Sequence, residues 1–325
     1  MRQCKRLLVT GGAGFIGSHF VEHVLPEVEC LVNVDLLTYA GTLDNLSSVL
    51  DDSRHCFIQE NICSLDRMVT LCTKHRIDTI VHFAAETHVD RSIEDPLCFV
   101  ETNVKGTAAL LEAARVLPSV HFHHISTDEV YGSLGEDGFF SESSPYLPSS
   151  PYSASKAAAD HLVRAYARTY GLSVTLSHCG NNYGPRQHPE KLIPLVLTRA
   201  IKKRSLPLYG DGRQVRDWIY VKDHVEALWR IVRMGKSGET YAITGKCERR
   251  NIDIVQVLLE ALSKKTGEPV QRYFDLIAFV RDRPGHDRRY ALLGDKVEQE
   301  LGWIPRWSLE KGIGDTVEAY VSKNF

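Results

Sequence analysis

The sequence lacks the features that would point to a membrane or secreted protein. No apolar run among its 325 residues approaches the roughly 20 residues needed to span a bilayer. Residues 1–5 carry no signal-like apolar stretch before the first strand-like run. The eight cysteines form no C-x-x-C pair, which argues against a zinc site and a disulfide framework. We therefore expect a cytoplasmic protein with reduced thiols.

A strong excess of charge of either sign is also missing. Lys and Arg number 39 against 41 Asp and Glu, which gives a formal net charge of −2. A broad electrostatic surface for nucleic acid or an anionic membrane is not expected, so we predict neither partner. Hydrophobic residues make up 43% and charged residues 25%, which is typical of globular proteins. The length favours about two domains.

Two side-chain clusters could suggest other chemistry, but their spacing does not support it. His121 and His123 share one face of a predicted strand and His124 takes the other, with no acidic or thiol ligand in register. We therefore predict no metal site. Ser126 and Ser155 lack the Gly-x-Ser-x-Gly elbow of a serine nucleophile.

Short β-rich runs alternate with helix-period segments over the first 180 residues. Strands are predicted at residues 6–10, 30–35, 56–59, 79–83, 121–127 and 174–179, and helices at 15–25, 65–75, 100–116 and 152–170. Such alternation, with right-handed crossovers, predicts a Rossmann-type doubly wound parallel α/β sheet.

The alternation fades after about residue 184, where prolines and glycines become frequent. Helical patterns return at residues 221–234, 251–264 and 309–320. We predict a cofactor domain over residues 1–184, to which residues 213–246 return. A smaller, mixed α/β substrate domain is predicted for residues 185–212 and 247–325.

A glycine-rich turn follows the first predicted strand and opens the first predicted helix. Gly11, Gly14 and Gly17 would bring backbone amides against a pyrophosphate at the helix N-terminus. Asp35 ends the second predicted strand, where a carboxylate accepts hydrogen bonds from an adenine-ribose diol and repels a 2′-phosphate. The pattern therefore predicts NAD rather than NADP. Asn61 and Ile62, after the third strand, would lie against the adenine.

Tyr152 and Lys156 lie four residues apart at the start of a predicted helix, which places phenol and ammonium on one face. A phenol with a pKa of about 10 is a poor base at neutral pH, but a neighbouring cation stabilises the phenolate. Tyr152 is therefore a candidate acid/base for a sugar hydroxyl, and Lys156 also a ligand of the nicotinamide ribose.

Asp128 and Glu129 follow a predicted strand at the carboxyl edge of the sheet, where open α/β sheets bind ligands. Hydride transfer alone needs no carboxylates. Elimination of water across a carbon–carbon bond does, because one group removes a carbon-bound proton and another protonates the departing hydroxyl. The alternative interpretation is a solvated loop pair or a helix cap.

The sequence resembles the nucleotide-sugar 4,6-dehydratases of the extended short-chain dehydrogenase/reductase family, most closely those acting on dTDP-D-glucose. The motifs that carry the resemblance are V-T-G-G-A-G-F-I-G-S-H-F (9–20), N-V-D-L-L-T-Y-A-G (33–41), F-A-A-E-T-H-V-D-R-S-I (83–93), H-I-S-T-D-E-V-Y-G (124–132), P-Y-S-A-S-K-A-A-A-D-H-L-V-R-A-Y (151–166), N-N-Y-G-P (181–185), P-E-K-L-I-P (189–194), L-P-L-Y-G-D-G-R-Q-V-R-D-W (206–218) and D-R-P-G-H-D-R-R-Y (282–290). The Thr-Asp-Glu triplet is the specific part, since related 4-epimerases have no acid pair there and GDP-mannose dehydratases carry Ser-Glu.

The resemblance implies a hydro-lyase that oxidises C4 of a hexose, eliminates water across C5 and C6 and returns the hydride to C6. Its implied catalytic residues are Thr127, Asp128, Glu129, Tyr152 and Lys156. Implied NAD+ ligands are Gly11, Gly14, Phe15, Ile16, Gly17, Asp35, Leu36, Thr38, Gly41, Asn61, Ile62, Ala84, Tyr152 and Lys156. Implied ligands of the nucleotide-diphosphate sugar are Thr87, Asn181, Glu190, Lys191, Leu192, Pro207, Tyr209, Arg216, Asn251, Arg283, His286 and Tyr290.

The sequence departs from the family pattern at Leu36, Thr42, Asn61 and Gly180, where the usual residues are Lys, Asn, Asp and Ser. Three alternatives therefore stay open: a 4-epimerase, a dehydratase of another nucleotide sugar such as UDP-glucose or UDP-N-acetylglucosamine, and a non-catalytic nucleotide-binding scaffold. The resemblance also implies a homodimer in which the helices at residues 100–116 and 152–170 form a four-helix interface.

Overall fold

The computed structural model describes residues 1–117 and 119–322. Its strands are β1 (Arg6–Thr10), β2 (Cys30–Asp35), β3 (His55–Gln59), β4 (Thr79–His82), β5 (His121–Ile125), β6 (Ser173–Cys179), β7 (Asn181–Tyr183), β8 (Leu206–Tyr209), β9 (Val215–Tyr220), β10 (Thr240–Ile243), β11 (Glu248–Arg250) and β12 (Ile277–Val280). Its helices are α1 (Phe15–Val24), α2 (Leu65–His75), α3 (Val89–Glu94), α4 (Pro96–Phe99), α5 (Gly106–Arg115), α6 (Pro151–Tyr170), α7 (Leu192–Ile201), α8 (Val221–Met234), α9 (Asn251–Thr266), α10 (Gln271–Phe274), α11 (Asp295–Leu301) and α12 (Leu309–Ser322).

Seven parallel strands form the central sheet in the order β10-β6-β5-β4-β1-β2-β3. Without β10, the remaining six strands lie in the order β6-β5-β4-β1-β2-β3, which is the strand order of a Rossmann fold. This order confirms the predicted fold class. Successive side chains of β1 point to opposite faces of the sheet, and helices cover each face. Leu7 and Val9 pack with α1 and α8 on one face, whereas Leu8 packs with α2 and α5 on the other.

The later part of the chain adds two small sheets to the helices there. One has the order β11-β9-β7, with an antiparallel pair and a parallel pair, and the other is the parallel pair β12-β8. This mixed sheet structure confirms the predicted α/β class of the smaller unit. The domain boundaries themselves stay a prediction.

The predicted strand at residues 121–127 is too long. β5 ends at Ile125, and Asp128–Tyr131 forms a 3₁₀ turn. Thr127 causes the change, because its Oγ1 accepts a hydrogen bond from the backbone N–H of Glu129 at 3.3 Å and so caps the turn. The two carboxylic acids therefore lie on a turn at the sheet edge.

The predicted helix at residues 100–116 also differs in detail. A π-helical segment, Val100–Lys105, leads directly into α5. Gly106 lies where the two meet, and a Cβ there would come within 2.5 Å of Ile62 Cδ1.

Within the described residues, no helix is long and apolar enough to cross a membrane.

Candidate active site

The glycine turn between β1 and α1 lines a cavity of about 340 Å³ at the carboxyl edge of the sheet. Gly11 has a φ of +72°, and a Cβ there would lie 2.5 Å from the backbone N of Ala84. A Cβ on Gly17 would lie 2.8 Å from Gly12 Cα. Side chains are thus excluded where the chain turns, and a ligand can approach the backbone closely.

Asp35 ends β2 beside this turn and is 8% exposed. Its Oδ2 accepts from the N–H of Ala13 at 2.9 Å and its Oδ1 from the N–H of Leu37 at 2.8 Å. Burial raises the pKa of Asp35, while these two backbone hydrogen bonds oppose the shift. Each oxygen keeps a second lone pair for a ligand hydroxyl.

Tyr152 and Lys156 lie one turn apart at the start of α6. Ser150 and Ser153 form a capping box there, and Pro151 occupies the first helical position. Lys156 Nζ donates to the carbonyl of Ile125 at 2.8 Å, and burial lowers the pKa of Lys156 to about 8. Burial raises the pKa of Tyr152 well above its usual range, and a hydrogen bond with the Thr127 side chain opposes the shift.

A buried polar cluster lies behind Lys156. Asp160, on the same helix, is fully buried, and its Oδ2 accepts from Ser126 Oγ at 3.0 Å and from Tyr146 Oη at 2.8 Å. Nε2 of His124 lies 3.5 Å from Lys156 Nζ and 3.3 Å from Asp160 Oδ1. Burial opposes the charged form of Asp160, but interactions with His124 and His178 hold its pKa well below its usual range, so a negative charge stands near the ammonium.

Asp128 and Glu129 have different surroundings on the 3₁₀ turn. Asp128 is 2% exposed, and burial together with the charge of Glu129 raises its pKa well above the usual range. Its Oδ1 accepts from Thr127 Oγ1 at 3.3 Å, while its buried Oδ2 has no hydrogen-bond partner among the described residues. Burial also raises the pKa of Glu129, but Lys191 and two arginines oppose the shift. One carboxyl therefore suits an acid and its neighbour a base.

A second cavity of about 390 Å³ adjoins the first, and Glu129, Asn181, Glu190 and Lys191 line both. Each volume lies in the usual range of small-molecule sites. Arg216 donates to the carbonyls of Val215 at 2.8 Å and Asp287 at 2.9 Å, and its guanidinium lies 4.2 Å above the Tyr290 ring. Arg283 pairs with Asp90 across the cavity at 3.0 Å.

The structure brings the predicted site residues together on these two cavities. The first is lined by the predicted catalytic residues, by the predicted cofactor ligands and by Thr87. The second is lined by the other predicted substrate ligands, namely Asn181, Glu190, Lys191, Leu192, Pro207, Tyr209, Arg216, Asn251, Arg283, His286 and Tyr290. Their roles stay predictions.

Sequence reasoning missed Asp90, Asp287 and Asp160. Asp90 and Asp287 line the second cavity and fall inside motifs already singled out. Asp160 follows Lys156 by one helical turn, and that spacing could have revealed it.

Three of the four departures from the family pattern have local explanations, and the structure offers none for Leu36. Thr42 accepts from the N–H of Asp44 at 3.3 Å and so caps the 3₁₀ turn Leu43–Leu46. Asn61 Oδ1 accepts from the N–H of Cys63 at 2.9 Å. At Gly180 a Cβ would lie 2.6 Å from the carbonyl oxygen of Asp217, so the backbone here leaves no room for a serine.

Two of the histidines of β5, His121 and His123, contact neighbouring hydroxyl groups. His121 Nε2 and His123 Nδ1 lie 3.0 and 2.8 Å from Thr175 Oγ1. Burial lowers the pKa of His121 to about 3 and that of His124 to about 4. Over the described part of the chain, no three His, Cys, Asp or Glu side chains are grouped so as to hold a metal ion.

Comparison with known proteins places this geometry in a family. A dTDP-glucose 4,6-dehydratase from Neisseria gonorrhoeae is 51% identical over 331 residues, covering 98% of this chain and 96% of the relative. The chain belongs to the dTDP-glucose 4,6-dehydratase family. A family model described as GDP-mannose 4,6 dehydratase also matches, over residues 8–316.

Solved structures agree with this membership. The crystal structure of a dTDP-glucose 4,6-dehydratase from Streptomyces venezuelae, with NAD bound, superposes with a TM-score of 0.93 at 46% identity and covers 98% of each chain. A UDP-glucose 4-epimerase from Thermotoga maritima still gives a TM-score of 0.89 at 30% identity, covering 98% of this chain and 100% of the epimerase. Since the fold is common to both proteins, the fold alone does not distinguish a dehydratase from an epimerase.

Proposed function

We propose that this protein dehydrates dTDP-glucose to dTDP-4-keto-6-deoxyglucose, using NAD+ that is regenerated in each cycle. The observation that carries the proposal is the juxtaposition of Asp128 and Glu129 with Tyr152 and Lys156 on one cavity. The first pair suits elimination and the second suits oxidation of a hydroxyl. Membership in the dTDP-glucose 4,6-dehydratase family supports dTDP-glucose as the substrate.

The first cavity fits NAD+. Gly11 and Gly17 leave backbone space for a pyrophosphate at the N-terminus of α1, and Asp35 offers free lone pairs to a ribose diol. The nicotinamide would supply a hydride acceptor at C4 of the sugar and later a hydride donor at C6. Lys156 would hold its ribose, and Ile62 and Asn61 would line the adenine end.

Tyr152 acts as the base for the C4 hydroxyl. Lys156 stabilises the phenolate form, because a cation nearby lowers the free energy of the anion. Thr127, whose Oγ1 donates to Asp128 Oδ1 at 3.3 Å, lines the same cavity as Tyr152 and polarises the C4 oxygen. Loss of the hydroxyl proton to Tyr152 Oη allows C4 to become a ketone, which acidifies the proton on C5.

Glu129 and Asp128 carry out the elimination. Glu129 removes the C5 proton, because nearby cations favour its carboxylate. Burial and the charge of Glu129 raise the pKa of Asp128, which favours its protonated form, and its Oδ2, without a hydrogen-bond partner among the described residues, donates that proton to the C6 hydroxyl. Water leaves, and Glu129 later returns a proton to C5.

The second cavity holds the nucleotide diphosphate. Arg216 and Arg283 offer forked donors that match phosphate oxygens. Arg283 would exchange part of its ion pair with Asp90 for the ligand. Lys191 donates to the carbonyl of Thr87 at 2.8 Å. It lines both cavities, and so lies between the proposed sugar site and the proposed diphosphate site.

The decisive test is incubation with dTDP-, UDP-, GDP- and CDP-hexoses, followed by mass spectrometry for the loss of one water. We expect dehydration of dTDP-glucose in preference to the others. A stronger reaction with UDP-glucose or UDP-N-acetylglucosamine would move the assignment to another dehydratase, and inversion at C4 without water loss would indicate an epimerase. No turnover of any sugar would indicate a binding scaffold.

Two variants test the acid–base roles. Glu129→Gln and Asp128→Asn should each slow dehydration by about 100-fold or more, because each removes one proton transfer, while NAD content is kept. Glu136→Gln, an exposed change on the following loop, is the matched control and should leave turnover unchanged. Normal turnover in both site variants would contradict the roles proposed for the pair.

We further propose a cytoplasmic homodimer with the cofactor domain and substrate domain divided as predicted above. Leu97 is 75% exposed and Val100 is 50% exposed, next to α5 and α6. Their exposure supports the dimer, because a four-helix interface between two copies would bury both side chains.

A further inference from the structure

The proposed cycle requires that the reduced cofactor stay bound between its two hydride transfers. Oxidation at C4 moves a hydride from the sugar to the nicotinamide and a proton to Tyr152, and the hydride must return to C6 of the same sugar. If the reduced cofactor left in between, the sugar would stay oxidised and the enzyme would be left without NAD+. The first cavity therefore needs a means of keeping its cofactor in place during turnover.

Residues 185–191, between β7 and α7, form a strap beside the first cavity. The side chains of the strap that line this cavity are Gln187, His188, Glu190 and Lys191. Near its start, the strap is held by an ion pair between Arg186 and Glu22 of α1 at 2.7 Å. At its end, Lys191 Nζ donates to the carbonyl of Thr87 at 2.8 Å. Both ends of the strap are thus fixed to segments of the cofactor half of the fold.

Tyr39 joins the strap to the loop that follows β2. The neighbours of Tyr39 on this loop that line the first cavity are Thr38, Ala40 and Gly41. Tyr39 Oη donates to Glu190 Oε1 at 3.3 Å. The Tyr39 ring also meets the His188 ring edge to face, with centroids 5.3 Å apart. Tyr39 therefore connects two segments that line the same cavity.

Arg91 of α3 adds a third contact to Tyr39. Its guanidinium carbon lies 3.7 Å from the centroid of the Tyr39 ring, within the range of a cation–π interaction. Arg91 is exposed and Tyr39 is half-buried, so this contact lies where the cavity wall meets solvent. Glu190, whose side chain is 13% exposed, lines both cavities. The contacts of Tyr39 thus extend from the protein surface to the cavity lining.

We propose that Tyr39 is a positioning residue that ties the cofactor loop to the strap and keeps the reduced cofactor bound until the hydride returns. Its hydroxyl and ring hold Glu190 and His188 against the loop, and Arg91 holds the ring from the solvent side. Loss of the tie raises the rate of cofactor release and leaves the chemical steps as they are. This role rests on the proposed dehydratase function.

The first measurement is the rate at which NAD+ leaves the holoenzyme, followed without sugar in the presence of an enzyme that destroys free NAD+. Tyr39→Ala and Arg91→Ala should each release NAD+ at least about tenfold faster than wild type, because a cation–π contact is lost in both and a hydrogen bond to a carboxylate in the first. Tyr39→Phe keeps the ring and should lie between Tyr39→Ala and wild type. Arg272→Ala removes an exposed arginine on α10 and, as the matched control, should release NAD+ as wild type does.

The second measurement is turnover of dTDP-glucose by the holoenzyme without free NAD+. Wild type and Arg272→Ala should keep their rates. Tyr39→Ala should slow and then stop, with NADH in solution and, by mass spectrometry, a sugar that remains oxidised at C4. Added NAD+ should restore its initial rate. Damage to packing alone would instead make the variant slow from the start, without release of NADH.

Release of NAD+ from Tyr39→Ala and Arg91→Ala at the wild-type rate would overturn the tie, as would loss of activity without free NADH. If Tyr39→Ala does not fold, as judged by circular dichroism, Tyr39→Phe and Arg91→Ala carry both measurements with the same direction of change. Failure of the wild type to dehydrate dTDP-glucose would refute the proposed function instead, whereas the first measurement tests the tie without any sugar.

Discussion

Asp160 offers a test of how the cluster behind α6 supports catalysis. Lys156 Nζ and Asp160 Oδ1 lie 3.5 and 3.3 Å from the same atom, His124 Nε2, so they are no more than about 7 Å apart. With an effective dielectric constant of about 20, two unit charges at that separation attract by about 2 kcal/mol. Asp160→Asn removes this attraction while keeping the shape of the side chain.

The expected effect depends on pH. Lys156 is cationic below its pKa of about 8, and the charge of Asp160 raises that pKa. Loss of about 2 kcal/mol lowers the protonation constant about 30-fold, so the cationic fraction of Lys156 at pH 8 falls from about one half to about 1/30. Turnover at pH 8 should therefore fall by about 15-fold, because the neutral amine no longer stabilises the phenolate of Tyr152. The difference from wild type should close as the pH falls to about 6.

The assay is the ratio of variant to wild-type kcat between pH 6 and 9 for dTDP-glucose dehydration, with Asp51→Asn, an exposed change, as control. A ratio that does not vary with pH, or that worsens towards low pH, would refute the reasoning. The free energy of unfolding of the variant in denaturant at pH 7 should also be about 3 kcal/mol lower than that of wild type, because buried charged hydrogen bonds are lost. That cost leaves it folded, given the usual 5–15 kcal/mol for a globular domain.

Three further variants test separate parts of the structure. Gly17→Ala should lose bound NAD, because its Cβ would meet the backbone of the glycine turn, whereas Gly314→Ala, which has open space, should purify with NAD as wild type does. Arg283→Gln should raise the KM for dTDP-glucose by about tenfold through loss of a charged hydrogen bond, and Arg288→Gln, at an exposed ion pair, should not. Val100→Glu should give a monomer by light scattering, and a dimer of unchanged stability would place the interface elsewhere.

Local sequence patterns predicted the cofactor half of the fold well, because its strands are buried apolar runs and its helices have one apolar face. The bounds predicted for β1, β2 and α2 agree with the structure. The helix α7 was not predicted, because Pro194 reads as a helix breaker. Here it stands third in the helix, within the first turn, where no intrahelical N–H bond is lost.

Of the site, the sequence could predict only those residues that occupy motif positions. The charged groups that give Asp128 and Glu129 different surroundings come from distant segments of the chain. Arg216 and Arg283 lie far along the chain from both acids. The cluster around Asp160 likewise joins Tyr146 and His178 from either side of α6. Such contacts are set by tertiary packing, which no local pattern encodes.

The strand β10 lies at one edge of the central sheet, beside β6, although its segment follows β7, β8 and β9 in the chain. During synthesis, β6 must therefore wait with an unpaired edge until residues well past 243 have emerged from the ribosome. Exposed strand edges favour aggregation, and non-local pairing slows folding. A fragment ending near residue 184 should accordingly be a poor folding unit, and the two halves of this enzyme are expected to mature together.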